Sequence, residues 1–238
     1  MKVSIQKYDP SVDNEPYIVE YEIEKTENMS VLEAIIAVHE KYEPLAFDYS
    51  CRGRMCGRCA VTVDGEPCMA CTTAIKGDCL IAPLKGFDVV RDLVVDKESF
   101  HDRISKLDLR IRPTEITVEE FEKPIDYEEV YLPMLSTEYC CRCGCCYSAC
   151  PTVQMEGARS RYVGPAGMVA LAYRNLDPYD QGDRVAQAVQ EGLWNCIMCG
   201  TCDSVCAAGI DHQSLWTSLR EQAEARGLTE KPRNFYLF

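Results

Sequence analysis

The 238-residue sequence predicts an α+β protein of two domains, a mixed strand-and-helix half over 1–104 and an all-helical half over 105–238. Apolar residues alternate along Tyr17, Val19, Tyr21 and Ile23, the period of a strand. Beyond Val95 the strand patterns stop and helix start and stop signals take over. One cysteine spacing recurs 56 residues later, an internal repeat within the helical half.

Residues 2–8 and 17–23 read as two strands, joined by a turn between Pro10 and Pro16. Ser30-Val31-Leu32-Glu33 has the form of a capping box, in which hydroxyl and carboxylate each take an unpaired N–H of the first turn. Leu32, Ile35, Ile36 and His39 then recur on one helical face, which makes His39 an expected packing residue rather than a ligand. Residues 60–63, the pair Asp64-Gly65 and the stretch from Glu66 predict a hairpin, because its two-residue turn needs positive φ. Strands, one helix and a hairpin form a β-grasp-like arrangement. In the second half Gly164-Pro165 predicts a helix start continued by Met168 to Leu176, and another helix is expected over about 183–193. Asp211 caps a last helix carrying Leu215, Leu219 and Ala223, which Gly227 ends.

Hydrophobic residues at 47% and charged residues at 26% are the balance of a folded chain. A net charge of −13, with no dense Lys/Arg stripe, repels phosphate backbones and argues against nucleic acid as a partner. The N-terminal segment lacks the apolar core of a signal peptide, and no stretch approaches the ~18 apolar residues of a membrane span. The chain by itself is therefore expected to be neither exported nor membrane-embedded.

Sixteen cysteines fall into three groups, over 51–79, 140–150 and 196–206. Without an export signal, and with adjacent pairs Cys140-Cys141 and Cys145-Cys146 that cannot easily bridge within themselves, disulfides are a poor explanation. Cys51, Cys56, Cys59 and Cys71 have the x4, x2, x11 order of a plant-type [2Fe-2S] site. Three thiolates of one tight loop curl around two irons and the fourth returns from the hairpin, while Gly53 and Gly57 let backbone N–H groups approach the sulfurs. Zinc is the competing reading, but structural zinc usually pairs two Cys-x2-Cys knuckles. Arg52, Arg54 and Arg58 are either a solvated face or a counter-charge for an anionic cluster or docked partner. Cys68 and Cys79 are left over.

Cys140, Cys143, Cys146 and Cys150 followed by Pro151 match the bacterial ferredoxin run, in which the last cysteine ligates the other cluster. Cys196, Cys199, Cys202 and Cys206 repeat it. Exchange of last ligands assigns one [4Fe-4S] cluster to Cys140, Cys143, Cys146 and Cys206, and the other to Cys150, Cys196, Cys199 and Cys202. Cys141 and Cys145 fall outside this frame and are expected as small buried residues. No nucleotide loop or paired acid–base motif is present, so no catalytic residue is assigned. His101 and His212 have no partner legible in sequence.

The order of these sites, with Gly164-Pro165-Ala166-Gly167 and Ala172-Tyr173-Arg174 between the two runs, resembles the iron–sulfur subunit of succinate dehydrogenase and fumarate reductase over nearly the whole chain. The resemblance implies a non-catalytic electron-transfer subunit. Its implied partners are an FAD-containing flavoprotein subunit, where a dicarboxylate reacts, and a membrane-anchor or cysteine-rich quinone-reactive subunit. It implies a peripheral position on the cytoplasmic face of the membrane, with the N-terminal cluster nearest the flavin. The family default for the third cluster is [3Fe-4S], with a non-cysteine where Cys199 stands; the cysteine here predicts [4Fe-4S] by ligand count. Cys206-Ala207 replaces the family's Cys-Pro, removing a rigid turn but no ligand. Met155 and Ile197 stand where many members carry Trp and His, which argues against quinone as direct acceptor. A free-standing multi-cluster ferredoxin, an iron–sulfur subunit of another flavin-linked reductase with a non-quinone acceptor, and a zinc-bound structural module are the competing readings.

Overall fold

The computed structural model describes residues 1–113, 115–155 and 161–229. Strands β1 (Lys2–Lys7) and β2 (Tyr17–Glu22) lead to helix α1 (Val31–Lys41), then β3 (Ala60–Val63), β4 (Glu66–Met69), β5 (Cys79–Ala82), β6 (Asp88–Arg91) and β7 (Val94–Asp96). Helices follow: α2 (Glu98–Ser105), α3 (Val118–Phe121), a π-helical turn over Tyr127–Tyr131, α4 (Leu132–Glu138), α5 (Cys145–Ala149) and α6 (Pro151–Gln154). The rest are α7 (Pro165–Leu176), α8 (Arg184–Gln190), a 3-10 turn over Leu193–Asn195, α9 (Thr201–Ser204) and α10 (His212–Ala225).

These elements form two compact units interleaved along the chain. The first comprises Met1–His101 with Cys141–Ala149 and Ser204–Ala207, and the remaining described residues form the second. In the first unit the sheet order is β2-β1-β5-β3-β4. β1 is antiparallel to β2 and parallel to β5, while β3 is antiparallel to both β4 and β5. The parallel pair needs a long crossover, and α1 lies within it. α1 starts at the expected capping box: Ser30 Oγ accepts from the Glu33 N–H at 3.2 Å, and the Glu33 carboxylate accepts from the Ser30 N–H at 2.7 Å. Val31, Leu32, Ala34, Ile35 and Val38 of α1 are buried in one core with Val3, Ile5, Met69 and Ile81. Each Val, Leu, Ile or Met side chain among them contributes roughly 1.5–3 kcal/mol by leaving water. His39 packs its ring edge-on against Phe47 at 5.4 Å, as expected, but is not buried. It is exposed in the last turn of α1, where its Nδ1 accepts from the Leu45 N–H at 3.0 Å and so fixes the chain leaving the helix.

The segment 141–149 joins this unit through its side chains. Cys145 is buried in the sheet core, and the Tyr147 ring lies 5.3 Å from Phe87 and 5.1 Å from Phe100. In the second unit α7 packs against α4, α8 and α10, and the described residues carry helices and one isolated bridge, Pro113 to Asp180. Trp216, Leu171, Met168 and Leu193 are fully buried there. Asp211 caps α10 by accepting from the Ser214 N–H at 2.9 Å, and Gly227 closes it at φ 69°. Arg184 and Asp180 form an ion pair at 2.8 Å with side chains 3% and 0% exposed. The same guanidinium donates to the backbone oxygens of Asp108 and Arg110, tying down the segment before Pro113. No helix among the described residues is long and apolar enough to cross a membrane.

Candidate iron–sulfur centres

The loop between α1 and β3 carries Cys51, Cys56 and Cys59. Its backbone is left-handed at Arg52, Arg54 and Gly57, with φ of 53°, 64° and 69°. Successive turns of this kind aim N–H groups inward, the concave arrangement that suits anionic sulfur. Three N–H groups reach Cys51 Sγ, from Gly53 at 3.4 Å, Met55 at 3.2 Å and Cys56 at 3.3 Å. The Gly53 N–H, followed by the Cys56 side chain, holds the Cys51 thiol down at about 7, so that a large share is thiolate near neutral pH. Cys59 is buried and pushed up to about 12, with Cys71 and Cys56 as its neighbours. Cys71 reaches it from the turn after β4, where the Ala70 N–H donates to the Cys59 oxygen at 3.0 Å. All four predicted ligands thus come together, and a thiol that burial keeps protonated in the bare chain gives up its proton to a metal cation.

Cys68 and Cys79 lie apart from that loop. Cys68 pairs with Val61 across the hairpin, and Cys79 opens β5 beside Val3. Burial raises both thiols, Cys79 to about 11.

The two later runs have the same backbone form. Arg142 and Gly144 have φ of 51° and 92°; Met198 and Gly200, at the equivalent positions 56 residues on, have 56° and 75°. In the second run the Met198 N–H donates to Cys196 Sγ at 3.4 Å. Cys202, pushed up to about 12 first by burial and then by Asp203, also feels Cys196, Cys150 and Cys199, and burial likewise raises Cys150 beside Cys196 and Cys199. These four predicted ligands share one neighbourhood. Cys199 is exposed, its Sγ 3.2 Å from Thr201 Oγ1. Of the other predicted set, Cys143, Cys146 and Cys206 belong to the first unit and Cys140 to the second. Cys143 is raised to about 12: a hydrogen bond from Cys141 lowers it, and Cys145 together with burial outweighs that. Cys145 is buried as expected, while Cys141 is only half-buried.

One feature had no signal in sequence. The Asp203 carboxylate accepts from the His212 backbone N–H at 2.6 Å and faces its Nδ1 at 3.0 Å, and the ring meets Trp216 edge-on at 5.6 Å. Cys202, Asp203 and His212 bring their donor atoms within 4.8 Å of one another. Soft sulfur donors on N–H-lined loops fit iron–sulfur clusters better than they fit hard cations.

Comparison with known proteins agrees with this chemistry. The family described as "2Fe-2S iron-sulfur cluster binding domain" matches residues 2–102, and the "4Fe-4S dicluster domain" matches 136–210. The chain is 31% identical to the fumarate reductase iron-sulfur subunit of Haemophilus influenzae, over 90% of this chain and 89% of that one. It is 31% identical to the subunit of the same name from Wolinella succinogenes, over 93% and 96%. It is also 31% identical, over 87% of its residues, to one subunit of the fumarate reductase (CoM/CoB) of Methanothermobacter marburgensis, but spans 40% of that protein's length. In fold it matches a chain of the Mycobacterium smegmatis Sdh1 complex in the apo form, with a TM-score of 0.85 over 96% of this chain and 97% of that one, at 22% identity.

Proposed function

The chain belongs to the family of fumarate reductase and succinate dehydrogenase iron–sulfur subunits, and on that premise we propose that it relays single electrons between an FAD-containing, dicarboxylate-binding flavoprotein and a membrane-associated acceptor subunit. The first segment, 1–104, is a β-grasp domain whose Cys51, Cys56, Cys59 and Cys71 hold a [2Fe-2S] cluster. The all-α segment 105–238 carries the ligands of two [4Fe-4S] clusters, Cys140, Cys143, Cys146 and Cys206 for one and Cys150, Cys196, Cys199 and Cys202 for the other. Bound clusters supply reversible one-electron chemistry at potentials tuned by burial and hydrogen bonds to sulfur.

The protein's part is to hold and shield. The observation that carries the proposal is the set of left-handed loop residues at Arg52, Arg54, Arg142 and Met198 beside cysteines at ferredoxin spacing. Non-glycine residues in that conformation cost about 1–2 kcal/mol each, and N–H groups turned toward sulfur are the return on that strain. Anaerobic purification of the native protein tests the assignment. A flavoprotein is expected to accompany it in equal amount; a monomer with no flavoprotein attached contradicts it.

A specific observation favours an acceptor other than quinone. Met155 and Ile197, on the two segments flanking the third site, are exposed apolar residues rather than Trp and His. The complex is expected to reduce a soluble one-electron dye while leaving a short-chain quinone unreduced; rapid quinone reduction contradicts this second reading alone.

A further inference from the structure

Lys97 stands between β7 and α2, half-buried, and its ammonium donates to two backbone oxygens, Gly57 at 3.3 Å and Cys143 at 2.9 Å. Gly57 lies between Cys56 and Cys59 of the first cysteine loop, and Cys143 is in the second. The two loops also touch directly. A Cβ on Gly57 would collide with the Cys141 oxygen and lie 3.1 Å from Cys143 Cα and 3.2 Å from its N, so backbone meets backbone with no side chain between. All these residues belong to the first unit.

We infer that Lys97 is a positioning residue for electron transfer: it clamps the [2Fe-2S] loop to the loop of the neighbouring cluster and sets its positive charge between them. The inference rests on the ligand assignment proposed for the three clusters. Two consequences follow from geometry. Transfer by tunnelling weakens steeply with separation, so a clamp at the closest approach of two loops sustains the rate. A fixed cation beside an anionic centre stabilises its reduced, more negative state and raises its potential. An ammonium is a compact charge with three donors, enough for both oxygens.

Redox titration with electron paramagnetic resonance on anaerobically purified full-length protein tests this. Lys97→Met is expected to keep the wild-type iron content while lowering the reduced-to-oxidised ratio of the [2Fe-2S] centre about tenfold at fixed ambient potential, ~59 mV for one electron. The spin–spin broadening between the two reduced centres is expected to weaken. Lys97→Gln, which donates without charge, should recover the broadening but not the potential, and Lys97→Arg should recover the potential. Unchanged potential and broadening in Lys97→Met overturn the inference. Loss of iron in all three variants also overturns it, since Lys97 would then serve folding alone. Wild-type protein without iron would instead sink the ligand assignment itself, a result told apart by the iron content of the parent.

Discussion

Arg142 and Met198 share one left-handed backbone conformation, φ 51° and 56°, each two residues after the first cysteine of its run and two before a positive-φ glycine. On the proposed assignment each of these equal loops lends its last cysteine to the other cluster. Cys206→Ser should therefore disturb the cluster of the first run, and Cys150→Ser that of the second. A Cys199→Ala background supplies a marker for the second. Its magnetic signal should survive Cys206→Ser and fail with Cys150→Ser; the reverse pattern would place each last cysteine within its own run.

On the proposed ligand assignment, Cys199 sets the type of the third cluster. Its sulfur is exposed beside Thr201. Replacing Cys199 with Ala should lower the iron content by about one atom per chain and produce the resonance signal of an oxidised [3Fe-4S] centre. No change in either quantity would remove Cys199 from the site.

Arg184 and Asp180 predict a large stability effect. Removing the guanidinium leaves a buried carboxylate unpaired and frees two backbone oxygens, Asp108 and Arg110. Arg184→Met should cost about 3–5 kcal/mol in urea unfolding monitored by fluorescence. A loss below ~1 kcal/mol would show that water reaches the pair.

Acid should act through the same pair. Burial alone would raise the Asp180 pKa, but the N–H groups of Arg112 and Gly182 and the Arg184 guanidinium outweigh it and hold the carboxyl below its ordinary 3.8. A group depressed on folding contributes stability that is complete above its unfolded pKa and is lost as pH falls through the folded one. The stability difference between wild type and Asp180→Asn should therefore be full at neutral pH, begin to shrink near pH 4 and be lost only once the pH has fallen through the depressed folded-state pKa. A difference that grows on acidification would contradict the sign.

Local signals were legible in sequence. The capping box at Ser30, the cap at Asp211 and the Asp64-Gly65 turn, with φ of 49° and 91°, all appear where neighbouring residues alone dictate them. Long-range partners were not. β5 is short, and its parallel pairing with β1 joins residues as far apart as Val3 and Cys79. Asp92 is buried to accept the N–H groups of Tyr8 at 3.2 Å and Ala46 at 3.0 Å, a role no nearby pattern announces. The cysteine spacings revealed candidate ligands because a cluster needs several sulfurs from one tight loop. Lys97 and the Asp203–His212 pair stayed hidden because their partners come from other elements.

Iron and acid-labile sulfide in the anaerobically purified protein test the central claim most directly. About ten irons and ten sulfides per chain are predicted, from one [2Fe-2S] and two [4Fe-4S] centres. A colourless protein holding zinc and no sulfide would contradict it.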